Sequence, residues 1–302
     1  MKRIKIILAL LIVFFVTRSI AQQLGSGHEK LRKDLTQIIK PFKAKVGIVI
    51  ISIEDSAVIA INNNHHYPML SVYKFPLALA VLDKVDKGTV SLQQKIKITA
   101  EDLNANTWSP LRTKYPEGNI EMSIAELLDY TVSQSDNNTC DILFRFLGGT
   151  MQVNNYIHGL GVSQISIAAT EEEMSKSWEV QYTNWTEPLA MANLLEGFYH
   201  GVYLSDSSTH FLMKLMVESS NSVNRLKKYL PEHVVLAHKT GTSNTNKKGM
   251  AAAVNDVGIV TLPDGRHLAI TVFVSDTYEK FETNEVIIAN IAKATLNHFM
   301  SR

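Results

Sequence analysis

The chain holds a single cysteine, Cys140, so no disulfide can form within it. Its one adjacent histidine pair, His65-His66, lacks the acidic and further histidine partners a zinc centre needs, so no metal is expected. There is no glycine-rich phosphate cradle, and no other cofactor is implied. No apolar run reaches the 18 or more residues of a membrane span. Basic and acidic side chains nearly cancel, at 30 and 29. They show none of the clustered basic surface that nucleic acid requires. Internal repeats and low-complexity linkers are also missing. These absences point away from nucleic acid, a bound metal and a stable membrane anchor, and the protein is expected as a monomer.

What the N-terminus does have is a basic start, Met1-Lys2-Arg3-Ile4-Lys5, and an apolar run from Ile6 to Val16. Ser19-Ile20-Ala21 supplies a small-x-small cleavage site before Gln22. The pattern predicts a signal peptide over 1–21 and a secreted, periplasmic protein. An uncleaved anchor is the competing reading, and Arg18 interrupts it. No cysteine follows the apolar run, which argues against a lipoprotein. Cleavage would remove Lys2, Arg3, Lys5 and Arg18 and no acids, leaving 30 − 4 = 26 bases against 29 acids, a formal −3.

Residues 28–42 place Leu31, Leu35, Ile38 and Ile39 at helical spacing. Val46–Ile53 and Ala57–Ile61 read as strands around Glu54-Asp55-Ser56. The stretch from 71 to 230 reads mainly helical, with long loops near 104–120 and 165–188. Ala251–Leu262 and His267–Val274 are β-rich and flank the hairpin turn Pro263-Asp264-Gly265. Residues 283–299 end in a helical pattern. Strands at both ends of a helical middle imply one sheet assembled from distant segments. The expected fold is mixed α/β (α+β) in a single domain over 22–302. A sheet lobe takes 22–68 and 225–302, and a helical lobe takes 69–224.

Ser71 and Lys74 form the only Ser-x-x-Lys in the chain. Three residues apart on a helix, they share a face. A base beside a serine hydroxyl turns a poor nucleophile into a useful one. Alone the match carries little, since composition gives roughly one per chain of this length. Ser135-Asp136-Asn137 and Lys239-Thr240-Gly241 follow in order, and the trio is far rarer than any member. This set is the signature of class A β-lactamases and penicillin-binding proteins. The chain resembles that superfamily over nearly its whole mature length.

The resemblance implies an antiparallel sheet flanked by terminal helices, an inserted all-helical lobe, and a site in the groove between them. It implies β-lactam substrates, with penicillins and cephalosporins opened through an acyl-serine. Ser71 is then the nucleophile, Lys74 or Glu171 its base, and Ser135 the proton donor to the leaving nitrogen. The N–H groups of Ser71 and Thr242 would form the oxyanion hole. Asn137 would bind the side-chain amide, Lys239 and Thr240 the substrate carboxylate, and Gly241 would allow close backbone approach. Asp136 reads as a loop anchor. Trp108 reads either as an aromatic wall of the groove or as packing. Arg225 reads either as a substitute carboxylate-binding guanidinium or as a surface arginine near Lys227 and Lys228. The family's usual arginine place is taken by Val257.

Rapid hydrolysis of an acyl-serine needs a positioned base for water. Thr170-Glu171-Glu172-Glu173-Met174-Ser175 supplies carboxylates, and the family's spacing from Ser135 and to Pro188 selects Glu171. A solvated acidic loop is the alternative. Around it the chain departs from the common pattern. Ser175 stands where many members have asparagine, and Ala169 and Asn184 stand where many have a salt bridge. The loop must then be held otherwise, through Gln181, Tyr182, Asn184 or Trp185. These departures resemble the PER- and VEB-type extended-spectrum branch. A D-Ala-D-Ala peptidase would share the three motifs but stay acylated, a Ser-x-x-Lys glutaminase is another enzyme reading, and a β-lactam-sensing domain would need membrane-spanning segments. Cys140 reads as a small buried helix residue.

Overall fold

The computed structural model describes residues 28–220 and 222–301. The expected signal segment lies outside the described residues. A helix over 28–39, α1, leads into β1 (Lys45–Ser52) and β2 (Ala57–Ile61). The short strand β3 (Tyr67–Pro68) and a 3-10 turn at Leu70–Tyr73 precede α2 (Lys74–Asp86). There follow β4 (Lys95–Ile98), α3 (Pro110–Lys114), β5 (Ile120–Ser123), α4 (Ile124–Val132), α5 (Asn137–Leu147), α6 (Thr150–Gly159), β6 (Ile165–Ser166), α7 (Glu171–Lys176), β7 (Trp185–Thr186), α8 (Pro188–Tyr199) and α9 (Asp206–Val217). The chain returns as β8 (Val235–Thr242), β9 (Ala251–Thr261) and β10 (His267–Thr277), and closes with α10 (Phe281–Met300).

The main sheet has the order β2-β1-β10-β9-β8, with antiparallel pairing throughout. Its strands are apolar on both sides because both faces are covered. Val49, Ile51, Val257, Ile259 and Phe273 face α8 and the helical part of the molecule. Ile48, Ile50, Val260, Ile270 and Val272 face the other way, onto Leu31 and Leu35 of α1 and Ile287, Ile288 and Ile291 of α10. The alternation is the period of two that strands impose on side chains. The turn at Pro263-Asp264-Gly265 forms as expected, with Gly265 at φ 87°.

Helix α2 is buried on all sides from Lys74 to Leu82 and forms the axis of the helical part, with Asp83, Lys84 and Asp86 in its last, partly exposed turn. Pro76 is tolerated because it falls in the first turn, where an N–H has no intrahelical partner. Through α2 the Ser71–Lys74 segment is fixed to the largest core of the molecule.

The two segments expected as long loops contain short regular elements. Ser109 caps α3, its Oγ accepting from Arg112 N, with Pro110 at the first helical position. The strand β5 pairs with β4. In the second segment, Thr170 and Glu173 form a capping box that starts α7. Both β3 and β6 pair with β7. That small sheet ties the chain just before Ser71 to both ends of the segment that carries Glu171. Elements of two to six residues are too short to show a periodicity, so only their capping signals were readable.

Candidate active site

Ser71 sits in the turn between β3 and α2. The residue before it, Leu70, has φ 47°. A branched side chain rarely adopts that conformation, so the surroundings must impose it. They do so through Asn255, whose Nδ2 donates to Pro68 O at 2.8 Å and Met69 O at 3.2 Å. A Cβ on Gly241 would run into that same Met69 carbonyl. The glycine of Lys239-Thr240-Gly241 therefore lets the strand approach the backbone before Ser71.

The serine hydroxyl donates to Glu171 Oε1 at 3.4 Å. Lys74 Nζ lies 3.0 Å from the same oxygen. The ammonium also donates to Ser135 O at 2.8 Å and to Asn137 Oδ1. All three lysine donors thus have partners, as a fully buried ammonium requires. Sequence alone set the amine beside the hydroxyl. The structure adds one carboxylate oxygen shared between them.

Ser135 has φ 57° at the junction of α4 and α5. Asp136 is fully buried and is the anchor expected of it. Its carboxylate accepts from Ser109 Oγ and Leu111 N at 2.8 Å and from Thr139 N at 2.9 Å. Asn137 lines the cavity, and its Nδ2 donates to Thr107 Oγ1 at 2.7 Å. Lys239 Nζ donates to Ser135 Oγ at 2.9 Å. It is completely buried behind that serine and does not line the cavity. Burial, and then the charge of Lys74, draw its ammonium down to about 7.

A residue that sequence reasoning missed holds Glu171 in place. Asp141, on α5, accepts from Glu171 N at 2.8 Å through Oδ1 and from Glu172 N at 2.9 Å through Oδ2. It caps the first turn of α7 from a neighbouring helix. Burial, and then the charge of Glu171, push its carboxyl up to about 7, against the pull of those two N–H groups and Lys74. The readable signal was its place four residues after Asn137, on one helix face. Asp141→Ala should slow deacylation by about tenfold or more and lower thermal stability by about 1–2 kcal/mol, as loss of a cap does. Asp141→Asn can accept only one of the two bonds and should fall between. As pH drops through about 7, Asp141 gains a proton and one oxygen becomes a donor. Deacylation by the unaltered enzyme should weaken on that side, which single-turnover rates against pH would record.

Asn184 replaces the missing salt bridge of the loop. It is fully buried; its Oδ1 accepts from Ala168 N at 2.7 Å and Ala169 N at 2.9 Å, and its Nδ2 donates to Ala169 O at 2.8 Å. A neutral amide satisfies the loop backbone at less desolvation cost than an ion pair. Trp185 stacks on His66 with ring centroids 3.4 Å apart. Ser175 Oγ is turned to Glu172 O at 2.7 Å, away from Glu171.

Ser71, Ser135, Asn137, Glu171, Thr240, Thr242 and Trp108 line a cavity of about 230 Å³, together with Leu70 and Ser222. A wider cavity of about 550 Å³ continues from it, between Gln181 and Ser175 on one side and Thr242, Ser243 and Asn244 on the other. Trp108 is 62% exposed at the mouth of both, and its Nε1 donates to Gln134 O at 3.1 Å. It is not a packed core side chain.

Arg225 is neither on the surface nor on the cavity wall. The guanidinium is fully buried. Nη1 donates to Gly241 O at 3.1 Å and Asn255 O at 2.8 Å, and Nε to Glu285 Oε1 at 3.3 Å. Nη2 donates to Thr242 Oγ1 at 2.7 Å. A buried guanidinium must fill its donors. The carbonyls of β8 and β9 do this, so Arg225 reaches the cavity only through the Thr242 hydroxyl. Cys140 is buried, and desolvation pushes its thiol well up, out of nucleophilic range. Among the described residues no group of three or more His, Cys, Asp or Glu could hold a metal.

A serine, a lysine and a carboxylate converge under a cavity, in a groove between an antiparallel sheet and a helical insertion. That combination defines the serine enzymes that accept acyl groups from cyclic amides. A family profile described as the beta-lactamase enzyme family matches residues 30–299. The β-lactamase VEB-1 of Pseudomonas aeruginosa is 44% identical over 301 residues, which are 99% of this chain and 98% of that one. The extended-spectrum β-lactamase PER-1 of the same organism is 40% identical over 263 residues, covering 87% and 85%. The crystal structure of the extended-spectrum β-lactamase TLA-1 superposes with a TM-score of 0.89 at 53% identity, covering 90% of this chain and 99% of that one. The chain belongs to the β-lactamase enzyme family; it is a serine β-lactamase of the class A type.

Proposed function

We propose that β-lactam hydrolysis here runs through an acyl-enzyme on Ser71, with Glu171 driving deacylation. The observation that carries this is the single Glu171 oxygen within reach of both Ser71 Oγ and Lys74 Nζ. In acylation the Ser71 proton passes to Glu171, or to Lys74 once it has given up a proton and become a neutral amine, as Oγ attacks the lactam carbonyl. The N–H groups of Ser71 and Thr242 stabilise the oxyanion. Ser135, hydrogen-bonded to Lys239, hands a proton to the ring nitrogen as the C–N bond breaks and is reprotonated with the proton taken from Ser71, which leaves Glu171 free as a carboxylate. Glu171 then takes a proton from water, water adds to the ester carbonyl, and Ser71 leaves with its proton restored.

Thr240 and Thr242, which line the cavity, hold the substrate carboxylate. Lys239 acts on it from behind Ser135 through its charge, and not by the direct contact that the motif suggests. Arg225 supports it indirectly by fixing the Thr242 hydroxyl. Gly241 keeps the strand close, Asn137 binds the side-chain amide, and Trp108 walls the mouth. No cofactor takes part. The enzyme works as a monomer in the periplasm after loss of residues 1–21, with the groove lying between a sheet lobe and a helical lobe. Among the described residues no helix is long and apolar enough to cross a membrane.

The wide second cavity and the neutral clamp of Asn184 favour bulky substrates, so early cephalosporins and cefotaxime should be turned over as well as penicillins. One extra hydrogen bond from Thr242 is worth only about 0.5–1.5 kcal/mol, so the loop must carry most of any spectrum. Steady-state kinetics with each drug in excess tests both points. Many turnovers per enzyme are expected on all three. A stop after one equivalent would mark a D-Ala-D-Ala peptidase. A specificity constant for the early cephalosporin a thousandfold below that for the penicillin would overturn the spectrum.

A further inference from the structure

The far turn of the Glu171 segment, residues 178–183, carries Gln181 on the wide cavity. Its internal bonds are satisfied locally, with Gln181 Nε2 donating to Trp178 O and Thr183 Oγ1 to Val180 O. Tyr182 reaches outward instead. Its hydroxyl donates to Asp276 Oδ1 at 2.7 Å. Asp276 is itself fixed, because Oδ2 pairs with Lys45 Nζ at 2.8 Å.

The receiving end is built. Asp276 lies one residue from the end of β10 and has φ 47°. The register passes from Ser275↔Ala253 to Thr277↔Ala251, leaving Asp276 unpaired in the ladder. A non-glycine residue held in the left-handed region is strained, and such strain persists where surrounding structure over-determines it. Here it turns the carboxylate out of the strand and towards the turn. The same end of the sheet carries Thr242, since Thr242 pairs with Val254 and Val254 with Val274. The strand that continues into Ser243 and Asn244 and the mooring point of the opposite wall are thus parts of one rigid sheet.

We propose that Tyr182 is a specificity-determining positioning residue: moored on Asp276, it fixes the gap between the 178–183 turn and the end of β8. That gap is the room open to the acyl side chain of the β-lactam. With the hydroxyl in place the wall stands at one distance. Without it the turn can retreat, and bulky oxyimino side chains gain more than slim ones. The inference rests on the reading that Glu171 and its loop act on the acyl-enzyme.

The test is the ratio of kcat/KM for cefotaxime to that for benzylpenicillin in Tyr182→Phe, Asp276→Ala and the double variant. The ratio should rise about fivefold in each single variant, within the reach of one lost hydrogen bond. The double variant should rise no further, because both changes cut the same contact. A ratio within about twofold of the unaltered enzyme in both singles would overturn the proposal. So would an equal fall for both drugs, or a double variant that multiplies the singles. Trapping of the acyl form by Glu171→Gln is read separately. If trapping fails while the ratio shifts, the base assignment falls and the mooring stands.

Discussion

Ser71→Ala should reduce penicillin turnover by a factor of about 10⁴–10⁶, to background. Among the described hydroxyls that line the cavity, that of Ser71 is the one that donates to a carboxylate. Its neighbours cannot replace it. Lys74 Nζ is fully buried with three partners, and Cys140 is buried with its thiol pushed well up. Fold stability should change little. The hydroxyl gives only a 3.4 Å bond to Glu171, and the Leu70 strain is imposed by Asn255 and Gly241 rather than by the serine. The variant should still bind the drug, because Thr240, Thr242 and Asn137 still line the cavity. Initial rates of penicillin loss check the prediction. Hydrolysis at a comparable rate would mean the chemistry does not pass through Ser71.

Glu171→Gln should separate the two halves of the reaction. An amide matches the carboxylate in shape and still offers an oxygen to Lys74. It cannot accept a proton from water at neutral pH. A general base contributes about 10²–10⁴ in rate, so deacylation should fall by that factor. Acylation should fall less if Lys74 can serve as base, and by a similar factor if Glu171 is the base for both steps. Comparing burst rate with steady-state rate measures this directly. Equal loss in both phases would assign acylation to Glu171 too. The capping role of Asp141 is untouched by this change, since it binds backbone N–H groups and not the side chain. A loss of activity in Glu171→Gln therefore reports chemistry, whereas a loss in Asp141→Ala reports position.

Much of this molecule was legible before its structure. Strands β1, β2, β9 and β10 of the main sheet read as apolar or β-rich runs bounded by turn residues, and α1 and α10 carry apolar faces at helical spacing; β8, with the sequence VLAHKTGT, carries no such pattern. Ser71, Lys74, Ser135, Asn137 and Lys239 announced themselves as three motifs; the structure bonds Lys74 to Ser135 and Asn137 and Lys239 to Ser135, and joins Ser71 to Lys74 through Glu171. What was not legible depends on contacts between distant segments. Asp141 is an ordinary helix acid until α7 is set on it. Asn255 looks like a polar interruption in a strand until the backbone before Ser71 crosses it. Arg225 matched a position in a resemblance, yet only packing shows its guanidinium turned into the carbonyls of β8 and β9. Asn184 was known to break a salt bridge, and only the fold shows it making three backbone bonds in its place. Charge and period are local signals, and a clamp is not.

Intact-mass spectrometry tests the central claim most directly. The unaltered protein and Glu171→Gln are mixed with benzylpenicillin, quenched at intervals, and weighed. The account predicts that the unaltered protein returns to its free mass as soon as substrate is spent. The Gln variant should keep the added mass of one penicillin, and peptide mapping should place it on Ser71. A Gln variant that turns over freely with no adduct, or an unaltered protein that stays acylated, would contradict it.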